Sequence, residues 1–236
     1  MAVQIIRKRC ADGAQEPEGL TVIIDVFRAF SCAPLFFHFN AARVILEADP
    51  EKATALKREH PDYILVGEVN EVPIEGGDVG NSPSRIIQMG ASYFEKRTVI
   101  HRTTAGVTGA AAALQTHHEV ILGAFVTAGA ISTFIQQKNP DKVTLVAMGD
   151  RAERAAPEDE ACADYLEHLL IKTPYDPAEV FLEVVFQPTA QKFIQGEKPY
   201  LPREDPVFCL QRDLFDFVLL ARRVEDRVEV FKQEMT

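Results

Sequence analysis

The segment EGGDVGNSPS, residues 75–84, carries more potential chemistry than any other stretch of the chain. Its three glycines let the backbone turn sharply, Ser82 is a good helix N-cap and Pro83 suits a first helical position. Asp78 is not needed for such a turn, and beside exposed amides it could hold a metal over a phosphate. In RTTAGVTGAA, residues 102–111, a strand ends on Thr103 and Thr104, and Gly106 opens an alanine-rich helix whose amides could receive an anion. A plain threonine cap explains the same residues equally well. In PEDEACADY, residues 157–165, Glu158 and Asp159 suit the first turn of a helix, and could also complete a magnesium site beside the strand end MGD. In TVIIDVFRAF, residues 21–30, an apolar run meets Asp25, with Arg28 one helical turn on. Asp25 could cap that helix while Arg28 lies on its solvated face, so this pair alone decides nothing.

The elements that must position these residues follow a rhythm. TVIIDV, RVILEA, YILVGE, RTVIHR, EVILGAF and KVTLVAMGD are short apolar runs, each followed by a helical or glycine-rich stretch. Near-continuous apolar strands separated by helices predict an α/β fold: a layered α/β/α arrangement around a mostly parallel sheet. Ligands of such sheets sit beyond the carboxyl ends of the strands. Those ends carry Asp25 and Arg28, Glu68, Thr103 and Thr104, and Asp150. After Ile171 the pattern changes to a helical stretch near 177–195, then a proline-containing segment, then two strands with a charged turn. This predicts a main portion over residues 1–171 and a smaller C-terminal α+β portion over 172–236, across a soft boundary. The final strands are expected as an antiparallel edge or an appended lobe.

Composition excludes several classes. Lys plus Arg number 25 against 35 Asp plus Glu, and the net charge of −10 argues against nucleic acid or an anionic membrane as partner. No apolar run reaches bilayer length, and MAVQIIRKRCADG lacks the core and cleavage site of a secretory signal. Cys10, Cys32, Cys162 and Cys209 are far apart and form no C-x-x-C, so reduced thiols in a cytoplasmic protein are expected. No Walker lysine, G-x-G-x-x-G, G-x-S-x-G or H-E-x-x-H occurs, and Phe27 breaks the D-x-D of aspartyl-phosphate phosphatases.

Taken in order, DVFRAFSCA, GE followed by GGDVGNSP, TTAG, GAFVTAGA, PEDEACA and FCLQRDLFDFV resemble the ComB family of 2-phosphosulfolactate phosphatases, over roughly residues 20–220. The resemblance implies a magnesium-dependent α/β hydrolase that releases phosphate from 2-phospho-3-sulfolactate in coenzyme M biosynthesis. Asp25, Arg28 and Asp78 would then be catalytic. Asp25, Glu68, Asp78 and Asp159 would share Mg2+, and Arg28, Asn81, Ser82, Thr103, Thr104, Gly106 and Glu158 would contact a small anionic phosphorylated substrate. The chain departs from the family's usual motifs: Val69 stands for an arginine, Glu71 for a glycine, and Ala105 and Val107 for a polar pair. If Val69, Ala105 and Val107 line the pocket, the preference for a sulfonate is weakened. The alternative is a non-catalytic small-anion-binding or regulatory protein on the same fold. A homodimer is expected only because symmetric dimers are common.

Overall fold

The computed structural model describes residues 3–235. Its strands are β1 (Gln4–Arg9), β2 (Leu20–Ile24), β3 (Arg43–Leu46), β4 (Ile64–Val69), β5 (Val72–Pro73), β6 (Thr98–Arg102), β7 (Glu119–Gly123), β8 (Lys142–Ala147), β9 (Phe217–Val224) and β10 (Arg227–Glu234). The helices are α1 (Cys10–Gln15), α2 (Ala29–His38), α3 (Pro50–Glu59), α4 (Pro83–Met89), α5 (Ala91–Phe94), α6 (Gly106–Ala113), α7 (Ala128–Lys138), α8 (Pro157–Ile171), α9 (Pro177–Val185), α10 (Pro188–Ile194) and α11 (Glu204–Cys209). Five of them begin on proline, where the missing N–H has no intrahelical role. Asp49 and Asp176 cap α3 and α9 through their carboxylates.

All ten strands form one mixed sheet in the order β1-β8-β2-β7-β9-β10-β3-β6-β4-β5. It consists of two parallel blocks, β1-β8-β2-β7 and β3-β6-β4, with the antiparallel β9–β10 hairpin between them. Both faces are covered. Ile23 points into a core shared with α2 and α6, while Val22 and Ile24 point into one shared with α7 and α8, which is why β2 reads as an unbroken apolar run. The α/β expectation therefore holds.

The position expected for the last strands does not. The hairpin is neither an edge nor an appended lobe: β9 pairs with β7 and β10 with β3, so the C-terminal portion joins the two blocks of the main one. Val218 and Leu220 on one face, and Leu219 and Ala221 on the other, are all buried. Runs buried on both faces belong in a sheet interior, and FVLLA carries that pattern. The edge strand β1 is hidden in the sequence by its basic residues. Arg7 lies against the acidic face of α8, donating to Asp164 at 2.7 Å and Glu160 at 3.0 Å.

If the hairpin holds the blocks together, Leu220→Ala should destabilise the whole protein by about 2–5 kcal/mol, the range for truncating a fully buried leucine. Urea unfolding followed by far-UV circular dichroism is expected to show one cooperative transition at a lower midpoint. A wild-type midpoint would contradict a central hairpin.

Candidate active site

Asp25 follows β2 and is buried. Its Oδ1 accepts from the Ala29 amide at 3.1 Å, so it does cap α2, and its Oδ2 accepts from the Gly106 amide at 2.7 Å. One carboxylate thus fixes the first turns of two helices that follow strands of different blocks. Asp159 does similar work on the other side, accepting from the Val26 and Gly149 amides at 2.7 Å each. Glu68, next to last in β4, accepts from the Thr104 amide at 2.6 Å and the Thr104 hydroxyl at 3.1 Å. Thr103 Oγ1 accepts from the Val107 amide at 3.1 Å, the cap expected of it.

Arg28 is buried and paired. Its Nη1 donates to Asp205 at 2.7 Å and to the Tyr200 carbonyl at 3.2 Å, and its guanidinium carbon lies 5.1 Å from the centre of the Phe193 ring. Asp205 is itself fully buried and receives the hydroxyls of Ser82 at 2.9 Å and Ser84 at 2.6 Å. The GNSPS turn therefore aims Arg28 through a residue of α11. Asn81 lies beside His101, whose Nε2 is 3.0 Å from the Asn81 Oδ1, while His101 Nδ1 is buried without a partner.

Asp25, Arg28, Glu68, Asn81, Thr103, Thr104, Glu158 and Asp159 all line one cavity at the carboxyl ends of the strands. Three expected site residues do not. Asp78 faces away: it accepts from the Leu65 amide at 2.7 Å and pairs with Lys57 at 2.9 Å, because the glycine-rich turn folds back along β4. Ser82 works behind the cavity on Asp205, and the Gly106 amide is already engaged by Asp25 rather than open to an anion. Of the four departures, Glu71 and Ala105 line the cavity, whereas Val69 lines a separate groove beside Arg58 and Val107 is buried in the core. Val69 follows Glu68 on a strand, so the two side chains point to opposite faces.

The profile of the 2-phosphosulpholactate phosphatase family matches residues 7–223. The chain belongs to this family. Among its relatives, a Bacillus subtilis protein is 31% identical over 210 residues, covering 88% of this chain and 89% of that one. A Caldicellulosiruptor saccharolyticus protein is 28% identical over 224 residues, covering 88% and 90%. A Deinococcus radiodurans protein is 30% identical over 151 residues, covering 64% and 62%. Each bears the name "probable 2-phosphosulfolactate phosphatase".

In this family member the cavity is completed by residues that the sequence motifs did not single out, and by Glu71, one of the departures from the family's usual motifs. Thr189, Lys192 and Phe193 come from α10, Glu71 from the turn after β4, and Arg151 from the turn after β8. Thr189 donates to Glu158 at 2.8 Å, and Lys192 pairs with Glu71. Nothing local marks Lys192 or Asp205, since each sits in a short helix of ordinary composition. No group of three or more acidic, histidine or cysteine side chains among the described residues is arranged to hold a metal. No helix among them is long and apolar enough to cross a membrane.

The lining sets six carboxylates, Asp25, Glu68, Glu71, Asp150, Glu158 and Asp159, against three cations, Arg28, Arg151 and Lys192. Burial pushes the Asp25 carboxyl up to about 7; its backbone hydrogen bonds oppose the shift, while the charges of Glu68 and Glu158 add to it. Burial also raises Glu158 and Asp159, the latter further through the charges of Asp25 and Glu158. An unfolded aspartate titrates near ~4, so the folded state holds the Asp25 proton from there up to about 7. Its contribution to stability is complete below that window and is lost as pH rises through it. Thermal melts of the metal-free protein between about pH 5 and 8 should therefore show a shallower fall in Tm with pH for Asp25→Asn than for wild type. Equal slopes would exclude Asp25 as the titrating group.

Proposed function

We propose that this chain hydrolyses the phosphate monoester of a small 2-phospho acid, with 2-phosphosulfolactate or a close relative as substrate and Mg2+ as cofactor. Family membership gives the reaction class. The observation that carries the reading to these residues is the buried Arg28, held by Asp205 at the edge of a cavity rich in carboxylates. With Nη1 anchored, the planar fork can present its remaining N–H groups to phosphate oxygens in one orientation. Asn81 and Thr103 supply further polar groups along the same wall. Phe27 and Phe193, with ring centres 5.8 Å apart, exclude water around the phosphate.

An anionic substrate and six carboxylates are incompatible without a cation. The donor set suits a mostly hydrated magnesium, which needs only one or two protein carboxylates. Glu158 and Asp159, beside Asp25, would hold it, and Asp78, paired with Lys57, would not. When bound, the ion would neutralise the cluster and polarise the phosphoryl group. Asp25 would orient the attacking water and accept its proton, as a carboxylate fixed at the cavity wall by the Ala29 and Gly106 amides. The four cysteines are free, which fits a cytoplasmic protein, and a homodimer is compatible with this reading.

The test is phosphate release from a panel of 2-phospho acids, including 2-phosphosulfolactate, with and without magnesium. Steady, magnesium-dependent release is expected, and Asp25→Asn should lower kcat by about 10²–10⁴-fold while leaving the far-UV spectrum intact. Silence across the panel would refute the reading.

A further inference from the structure

Two of the three cavity cations have protein partners. Arg28 is anchored by Asp205, and Lys192 is paired with Glu71. Arg151 has neither a hydrogen bond nor an ion pair among the described residues, although it lines the same cavity. Its neighbours explain why. The adjacent Asp150 carboxylate is taken by Arg154 at 2.7 Å, and the amides of Gly149 and Asp150 are bonded to Asp159 and to the Arg154 carbonyl, also at 2.7 Å each. The turn after β8 is thus tied down on both sides of Arg151, which stands on it with a positive φ of 55°. A cation rooted in a fixed turn, exposed at a cavity and unpaired in an acid-rich setting is available to a ligand.

Lys192 helps to place that ligand. Its ammonium lies 5.5 Å from the centre of the Phe193 ring, and the Arg28 guanidinium carbon lies 5.1 Å from the same centre. One aromatic ring thus links the anchored phosphate-binding arginine to a second cation. A 2-phospho acid carries two acidic groups close together: its carboxyl group is bonded to the carbon that bears the phosphate oxygen.

We propose that Arg151, with Lys192, forms a subsite for the second acidic group of the substrate, so that the site selects phosphorylated acids over simple phosphate monoesters. This rests on the phosphatase reading for the position of the phosphate. It adds the residue that reads the rest of the molecule. A guanidinium bonds two oxygens of a carboxylate or sulfonate at once, whereas an ammonium acts as a point charge.

Phosphonates, whose P–C bond is not hydrolysed, separate recognition from turnover. Calorimetry with magnesium present would compare 3-phosphonopropanoate with propylphosphonate, which lacks the acid, on the full chain and on Arg151→Met and Arg151→Lys. Wild type should prefer the acid, Arg151→Met should reduce that preference by about tenfold or more, and Arg151→Lys should fall between them. A preference unchanged in Arg151→Met, no preference in wild type, or no binding of either phosphonate would overturn the subsite. An Arg151-dependent preference without phosphate release from any substrate would uphold the subsite and reject the phosphatase reading. Release combined with an Arg151-independent preference would do the reverse.

Discussion

The hydrogen bonds of the Asp25 carboxylate hold this architecture at its functional end. Four strands, β7, β9, β10 and β3, lie between β2 and β6, yet the Gly106 amide at the exit of β6 reaches Asp25 at the exit of β2. The same side chain starts α2. The glycine at residue 106 is required by this approach: an added Cβ would stand 2.7 Å from Asp25 Oδ2 and 3.0 Å from its Cβ. Burying a carboxyl here is unfavourable, as its raised pKa records, and two backbone N–H groups offset only part of that cost. The same bonds that fix the blocks together hold this buried carboxyl at the cavity wall.

A central hairpin and a cavity made from distant segments are two consequences of one chain path. The residues from α8 to α11 must cross the carboxyl ends of the strands before the chain returns to insert β9 and β10 between the blocks. On the way they supply Thr189, Lys192 and Phe193 to the cavity wall, and Asp205 behind Arg28. The C-terminal portion therefore closes the sheet and builds the site in one passage. A boundary near residue 172 marks a change of sequence pattern but no break in the sheet.

What could be read from the sequence follows from how local each signal is. Strand ends were legible because apolar runs stop where parallel strands stop, so Asp25, Glu68, Thr103 and Asp150 were found by position before any contact was known. Asp78 was misplaced because a glycine-rich turn can project either way: here it folds back, with a bridge between Val66 and Val79, and turns the carboxylate toward Lys57. Gly106 was read as an open anion site because a helix amino terminus looks vacant in sequence, whereas a carboxylate 81 residues away already occupies it. Lys192 and Asp205 were invisible for the same reason in reverse. Their roles exist only through partners 121 residues distant at Glu71 and 177 residues distant at Arg28.

The Arg28–Asp205 pair shows what such a long-range contact contributes. With the two side chains 5% and 0% exposed, desolvation consumes much of the attraction, and an apolar pair of equal volume could match it for stability. Its value is geometric. Asp205 receives two serine hydroxyls and the Ser84 amide on Oδ1, which leaves Oδ2 directed at Arg28 Nη1, while the Tyr200 carbonyl takes the same nitrogen. A guanidinium held by one nitrogen and laid over Phe193 loses most of its rotamer freedom before any ligand arrives. The entropy of orienting it is then part of folding rather than of any later binding, so a site assembled from distant chain segments holds this cation in one defined orientation.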